Sequence, residues 1–235
     1  MSKLFKLMKL ELRRNNLNTY MRLSMIGCMF LIGFIYFVAI VAKVENEPDF
    51  QNYSNIFLFT SIMSMFFFSI LSATMFSRFV IEEYKGKKMI LLFSYPVNRK
   101  KILLSKIAVV VVFSTASMII SNIPPIVIFS ITESFSPIVN DTLSSELLFS
   151  VIKTIIILSI GMNGITLIAM RIGFINKSIP STIVSALLLC ALFGNAVIGS
   201  FEKSTLSLII LAISTAAGII ATMNLMGKIN RIEVE

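Results

Sequence analysis

The feature that most constrains this chain is a series of long apolar runs, each close to the length that crosses a lipid bilayer. A helix of about 20 apolar residues spans the hydrocarbon core of a membrane. We predict six spans, at residues 22–42, 56–80, 104–131, 147–170, 179–200 and 205–226. Continuous apolar character favours helices over a β-barrel, whose strands are shorter and alternate. The predicted fold class is therefore all-α, a polytopic membrane protein with a single transmembrane domain over residues 1–235.

The composition agrees with a chain that lies largely in lipid. Of the 235 residues, 56% are hydrophobic and 14% are charged, whereas a soluble domain usually carries about 25% charged residues. The alternative is a soluble and very apolar helical bundle, but a core of this size cannot hide so much apolar side chain. Cys28 and Cys190 both lie in apolar runs and lack a metal-ligand spacing, so we expect them to be buried as small hydrophobic residues.

The distribution of Lys and Arg predicts the orientation in the membrane. If both termini lie inside, the inner segments hold 18 of the 21 basic residues, as the positive-inside rule requires. We therefore predict a multi-pass protein of the cell (plasma) membrane with cytoplasmic N- and C-termini. The net charge of +9 then reflects membrane topology and attraction to anionic lipid. We therefore expect no nucleic acid partner. Between the last two spans stands only a short polar break, residues 202–204, so these spans form either a tight hairpin or one span with a re-entrant segment.

Residues 1–21 have the pattern of an amphipathic helix that lies on the membrane surface. Its apolar face consists of Leu4, Phe5, Met8 and Leu12, and its basic face of Lys3, Lys6, Lys9 and Arg13. Asn15, Asn16 and Asn18 predict a break before the first span. The alternative is a basic tail that only directs membrane topology.

Residues 81–103 form the longest predicted cytoplasmic loop, between spans two and three. Glu82 and Glu83 follow the second span, and an apolar block runs from Met89 to Phe93. Pro96 disfavours helix at the preceding residue, and Asn98 is a favourable N-cap for the next helix. A short amphipathic helix here could be bound by a soluble partner, or the loop could be a helical hairpin with basic anchors and no partner.

The same stretch resembles the signature loop of type-2 ABC exporter permeases. In that family a Glu is followed by a Gly, a Leu-Leu pair, a small residue, Pro-Val, an Arg and a closing Lys. The matching residues here are Glu82 or Glu83, Gly86, Leu91, Leu92, Ser94, Pro96, Val97, Arg99 and Lys106, with Tyr95 at the turn. The resemblance implies that the loop is the coupling helix that docks on a separate ABC ATPase subunit. It further implies that two permease chains, as a homodimer or a heterodimer, assemble with two ATPase chains that bind ATP and Mg.

The chain departs from the family at one place. Many members carry extra extracellular helical elements between spans five and six, for which residues 195–204 leave little room. This departure puts a closed outer gate of the usual kind in doubt.

The sequence carries no catalytic residues, cofactor site or metal site that we can identify. It lacks the G-x-x-x-x-G-K-[ST] pattern that cradles ATP phosphates, and without His it cannot form a Ser–His nucleophile pair. We therefore predict that the chain is not an enzyme. The span interiors lack the acidic residues on which proton-coupled and sodium-coupled carriers usually depend. Glu133 and Glu146 lie near the outer span ends, where we expect them to be solvated.

Four residues inside the spans are candidates for a substrate path or gate. Pro124 and Pro125 should kink or break span three in its outer half. Asn163 lies among small residues of span four, and Asn195 lies near the end of span five. Each feature could instead serve helix packing, because transmembrane Pro is common and Asn bonds across helices.

These observations predict the permease subunit of an ATP-driven ABC exporter. Its expected cargo is an amphipathic peptide, an antibiotic or a lipid-like molecule. We therefore expect the protein to act in peptide export or antibiotic resistance. The alternative is a membrane module without transport activity, either a sensor or an assembly factor, whose basic loop binds a cytoplasmic partner or anionic lipid.

Overall fold

The computed structural model describes residues 3–45, 47, 50, 52–85, 99–135, 138–139, 141, 144–199 and 204–229. All regular structure in these residues is helical. The α-helices are α1 (Lys3–Arg14), α2 (Asn18–Glu45), α3 (Tyr53–Phe76), α4 (Arg99–Phe135), α5 (Ser145–Ile175), α6 (Ile179–Gly199) and α7 (Ser204–Ile229). A π-helical turn, Ser77–Ile81, continues α3. Six helices, α2 to α7, are long and apolar enough to cross a membrane, which confirms the all-α polytopic fold.

The helices extend beyond most of the predicted spans, because a helix continues past its apolar part into polar ends. The first span was predicted at 22–42, and α2 runs from Asn18 to Glu45. The chain breaks between α1 and α2 at residues 15–17, where the Asn residues predicted it. α6 and α7 each have the length and apolarity of a full span, so the structure agrees with the hairpin alternative.

Successive long helices run in opposite directions, which gives the bundle two distinct ends. We call the end with α1, the π-helical turn and the start of α4 the basic end. The opposite end, where α4 ends and α5 begins, is called the acidic end. Side-chain contacts identify both ends: Lys106 bonds to Glu11 at the basic end, and Tyr53 bonds to Glu133 at the acidic end.

α5 lies at the centre of the bundle and packs against α7, α3 and α6. Its contact with α7 is so close that only glycine fits. A Cβ atom on Gly164 would lie 2.7 Å from the backbone of Ser214, and one on Gly218 would lie 2.6 Å from the carbonyl oxygen of Gly164. Small residues commonly allow such backbone approach between membrane helices. Large apolar side chains on the outside of the bundle, such as Met29 and Leu192, are exposed, as expected of a surface that faces lipid.

Candidate functional site: a buried ion cluster at the basic end

The basic end contains a lysine with no exposed surface. Lys106, near the start of α4, places its Nζ atom 3.0 Å from Oε2 of Glu11 and 2.6 Å from Oε2 of Glu83. Arg14 donates a hydrogen bond to the other carboxylate oxygen of Glu83. The Nε atom of Arg14 lies 3.9 Å from Glu11 Oε2. We call these four residues, Glu11, Arg14, Glu83 and Lys106, the buried ion cluster.

The buried ion cluster joins three separate parts of the chain. Glu11 and Arg14 belong to α1, Glu83 follows the π-helical turn, and Lys106 belongs to α4. Lys106 and the two carboxylates are largely buried, whereas the Arg14 side chain is 51% exposed. The two acidic and two basic groups balance, as charges removed from water require. Removing one member of a buried pair typically costs 3–5 kcal/mol because the other charge is left uncompensated. The cluster therefore fixes the position of α1 relative to the segment that begins the loop.

Local structure in α1 directs Glu11 inward. Asn15, just after the helix, donates from Nδ2 to the carbonyl oxygen and to Oε2 of Glu11, both at 3.1 Å. Met8 packs against the core of the bundle on the same side. Phe5 and Leu12 of the predicted apolar face are instead 53% and 43% exposed.

The predicted basic face of α1 points away from the bundle. Lys6, Lys9 and Arg13 are exposed. The side chains of Lys3 and Leu4 lie outside the described part of the chain. α1 therefore presents an inward face, a basic face and an exposed apolar side.

The π-helical turn sets the direction of Glu83. The backbone N–H of Glu82 donates to the carbonyl oxygen of Ser77 at 2.9 Å, a spacing of five residues. Such a turn holds one residue more than an α-turn and often marks a functional position. Because of this extra residue, every side chain that follows is rotated relative to a continuous α-helix. Glu83 reaches Lys106, and both Glu82 and Glu83 line an adjoining cavity.

Tyr84 fixes the chain immediately after the buried ion cluster. It is 5% exposed, and its ring centroid lies 5.6 Å from that of Phe174 in α5. Burial, together with the Glu11 charge, raises the pKa of the Tyr84 phenol above its ordinary value. The phenol therefore stays neutral and acts as an apolar ring that anchors the start of the loop to α5.

A cavity of about 480 Å³ adjoins the buried ion cluster. Its lining combines charged, amide and apolar side chains of α1, α2, α3 and the π-helical turn. Arg14, Arg78 and Glu82 form part of its polar lining, and Leu23 and Phe79 form part of its apolar lining. An amphipathic molecule matches such a mixed surface.

Most of the predicted coupling loop lies outside the described residues, which resume at Arg99. This applies to Gly86, Leu91, Leu92, Ser94, Tyr95, Pro96 and Val97. Arg99 is half-buried and begins α4, in agreement with the helix start predicted after Asn98. Glu82, Glu83 and Lys106 are described, and the coupling role of the loop stays a prediction.

The four residues predicted for a path or gate have different surroundings. α4 is helical through Pro124 and Pro125, so the pair does not break the helix. Asn163 is buried; it donates to Thr115 at 2.7 Å and accepts from Ser114 at 3.1 Å, both in α4. The Asn163 contacts are those of helix packing.

Asn195 is exposed on α6 and donates to the carbonyl oxygen of Ala191 at 3.0 Å. This partner lies in the same helix as Asn195, whereas the Asn163 partners named above lie in α4. The role of these residues in a substrate path stays a prediction.

The expectation that Glu133 is solvated is wrong. Glu133 is 4% exposed, and its Oε2 atom accepts hydrogen bonds from the Tyr53 hydroxyl at 2.8 Å and from the backbone N–H groups of Ile138 and Val139. Ile138 and Val139 lie beyond the end of α4, and their backbone donors need an acceptor. Asp141 likewise accepts from the backbone N–H of Tyr53 at 3.1 Å. Glu133 therefore connects Tyr53 of α3 to the backbone of Ile138 and Val139.

Sequence reasoning did not identify Glu11 or Arg14 as functional candidates. A signal for Glu11 was present, because Glu11 is the only acidic residue before Glu45 and stands among basic residues. An isolated acid on a basic amphipathic helix is a candidate for a specific ion pair. Its partner could not be read from the pattern, since Lys106 lies 95 residues away.

Comparisons with known proteins extend these observations. Residues 7–194 match the family described as "ABC-2 family transporter protein". The chain is 26% identical over 189 residues to "Uncharacterized protein YcbO" of Bacillus subtilis (strain 168), a match that covers 80% of this chain and 83% of the relative. No solved structure matches the chain.

Proposed function

The chain belongs to the ABC-2 family of transporter proteins, and from that premise we propose that it is the permease subunit of an ATP-driven exporter in the plasma membrane. The family match confirms the resemblance to ABC transporter permeases and makes the chain a membrane permease of an ABC transporter. ATP hydrolysis belongs to a separate ATPase subunit of such transporters. In our proposal both termini and the basic end are cytoplasmic, and ATP and Mg bind to the partner subunit.

The buried ion cluster is the observation that carries the proposed coupling. It fixes Glu83, at the start of loop 81–103, to Lys106 in α4 and to α1. A motion that an ATPase imposes on the loop would therefore also move α1 and α4, instead of staying confined to the loop. Tyr84 packs the same segment against Phe174 of α5, which adds a third helix.

A second permease chain and an amphipathic cargo complete the proposal. A path for cargo would lie between two such chains, of the same or of different sequence, and would open alternately to the two sides. The cavity beside the buried ion cluster supports a peptide, antibiotic or lipid-like cargo, because its lining is both charged and apolar.

A second function is favoured by one observation, the exposed basic face of α1 formed by Lys6, Lys9 and Arg13. Such a face suits a membrane module without transport activity, a sensor or an assembly factor, that binds anionic lipid or a cytoplasmic partner. This function requires no ATPase.

Co-purification distinguishes the two functions. The chain is expressed with ATPase subunits encoded in the same genome, purified in mild detergent and assayed for ATP hydrolysis. The proposal predicts a stable complex whose ATP hydrolysis falls in the Glu83→Gln variant and changes less in the neighbouring Glu82→Gln variant. A folded, inserted chain that recovers no ATPase would favour the module without transport activity.

A further inference from the structure

α1 exposes a surface that its contacts with the bundle do not use. Lys6, Lys9 and Arg13 form the basic part of this surface. Phe5 and Leu12 stand beside them and are 53% and 43% exposed. Basic and apolar side chains on one exposed helix surface are typical of helices that bind the interface of an anionic membrane.

The position of α1 along the chain places it at that interface. Only residues 15–17 separate its last residue, Arg14, from Asn18, where the first membrane-length helix begins. Three linking residues reach at most on the order of 15 Å. Arg22, in the first turns of α2, is exposed as well. The basic face of α1 is therefore within reach of the lipid headgroups, which favours anionic lipid over an acidic protein surface.

The opposite side of α1 holds the buried ion cluster. Glu11 bonds to Lys106, and Arg14 bonds to Glu83 at the start of the loop. A change in the depth or tilt of α1 therefore alters the partners of Glu83. Because linkage is reciprocal, a ligand that favours one position of α1 also favours one state of the loop.

We infer that α1 is a sensor of anionic lipid that regulates ATP-driven transport through the buried ion cluster. The inference rests on the proposed function, since the regulated quantity is ATP hydrolysis by the partner subunit. The ligand is the anionic headgroup layer of the membrane. The signal passes from the basic face of α1 to Glu83 by two routes, through Glu11 and Lys106 and directly through Arg14.

The test uses the full permease–ATPase complex in nanodiscs made with or without phosphatidylglycerol. One variant removes the basic face by Lys6→Gln, Lys9→Gln and Arg13→Gln together. Its control removes three exposed charges elsewhere, by Lys43→Gln, Lys153→Gln and Lys177→Gln. Each basic residue near an anionic surface adds about fivefold to binding, so the α1 variant should bind the surface on the order of a hundredfold more weakly.

A second variant, Glu11→Gln with Arg14→Gln, removes both bonds from α1 to the rest of the cluster and keeps the basic face of Lys6, Lys9 and Arg13. An environment-sensitive fluorophore at position 10, where Leu10 is 61% exposed, reports the depth of α1. We expect phosphatidylglycerol to change both fluorescence and ATP hydrolysis in the wild type and in the control triple. The α1 triple should lose both responses, and the variant with Glu11→Gln and Arg14→Gln should keep the fluorescence response alone.

Three results would count against parts of this account in different ways. Equal responses of ATP hydrolysis to phosphatidylglycerol in the wild type and the α1 triple would overturn the sensor. Loss of the ATPase subunit from the α1 triple in lipid-free detergent would assign the basic face to the partner protein and overturn the lipid assignment. Absence of ATP hydrolysis in every lipid would defeat the proposed function, while the fluorescence response would still decide whether α1 binds anionic lipid.

Discussion

Replacing the central cation of the buried ion cluster gives the sharpest prediction for stability. Lys106→Met keeps a long apolar side chain but leaves two carboxylates without their shared partner. The side chains of Glu11 and Glu83 are only 11% and 14% exposed, so water compensates only in part for the lost ammonium group. Breaking a buried pair costs about 3–5 kcal/mol. Glu83 retains Arg14, so we expect a loss near the lower end of this range.

The assay is thermal unfolding in mild detergent. For a chain of this length, 1 kcal/mol corresponds to a shift in Tm of about 2–4 °C, so Lys106→Met should lower Tm by roughly 6–12 °C. The triple change of Lys106→Met with Glu11→Gln and Glu83→Gln should recover much of this loss, because neutral groups need no cation. A Tm for Lys106→Met within about 2 °C of the wild type, the smallest shift expected for a loss of 1 kcal/mol, would refute the reasoning.

Three further predictions follow from single contacts. Glu83→Gln should reduce ATPase stimulation in the co-purified complex at least several-fold more than Glu82→Gln, because Glu83 holds the buried lysine; equal losses would contradict this. Gly164→Leu should abolish the monodisperse peak in size-exclusion chromatography, because its Cβ would lie 2.7 Å from the α7 backbone, whereas Gly33→Leu, with nothing within 4 Å, should behave as wild type. Tyr53→Phe removes a hydrogen bond to a buried carboxylate and should lower stability by about 1.5–3 kcal/mol in chemical unfolding; an unchanged midpoint would show that the bond contributes nothing.

The number and type of the membrane helices could be predicted from the sequence because the bilayer fixes their length. Each predicted span corresponds to one of the helices α2 to α7, and only the polar ends differ. The start of α4 at Arg99 followed from Pro96 and Asn98 for the same kind of local reason. These features depend on residues close together in the chain, which pattern reasoning can read.

The buried ion cluster could be predicted only in part. The resemblance pointed to Glu82 or Glu83 and to Lys106, but composition and spacing could not show that Lys106 has no exposed surface. Glu11 belongs to the cluster because α1 packs on α4. No local sequence pattern encodes that packing. Glu133 was wrongly expected in solvent, because its position near a span end did not reveal its bonds to the Tyr53 hydroxyl and to the backbone of Ile138 and Val139.

Photo-crosslinking from the loop tests most directly whether an ATPase drives this permease through residues 81–103. A photoreactive amino acid replaces Leu91 or Leu92 in the complex, and a control places it at Ile175, which is exposed at the same end of the bundle. The account predicts crosslinks to the ATPase subunit from Leu91 and Leu92, with far weaker crosslinks from Ile175. Crosslinks from Ile175 alone, or from no position in a complex that still hydrolyses ATP, would contradict the assignment of the loop as the coupling element.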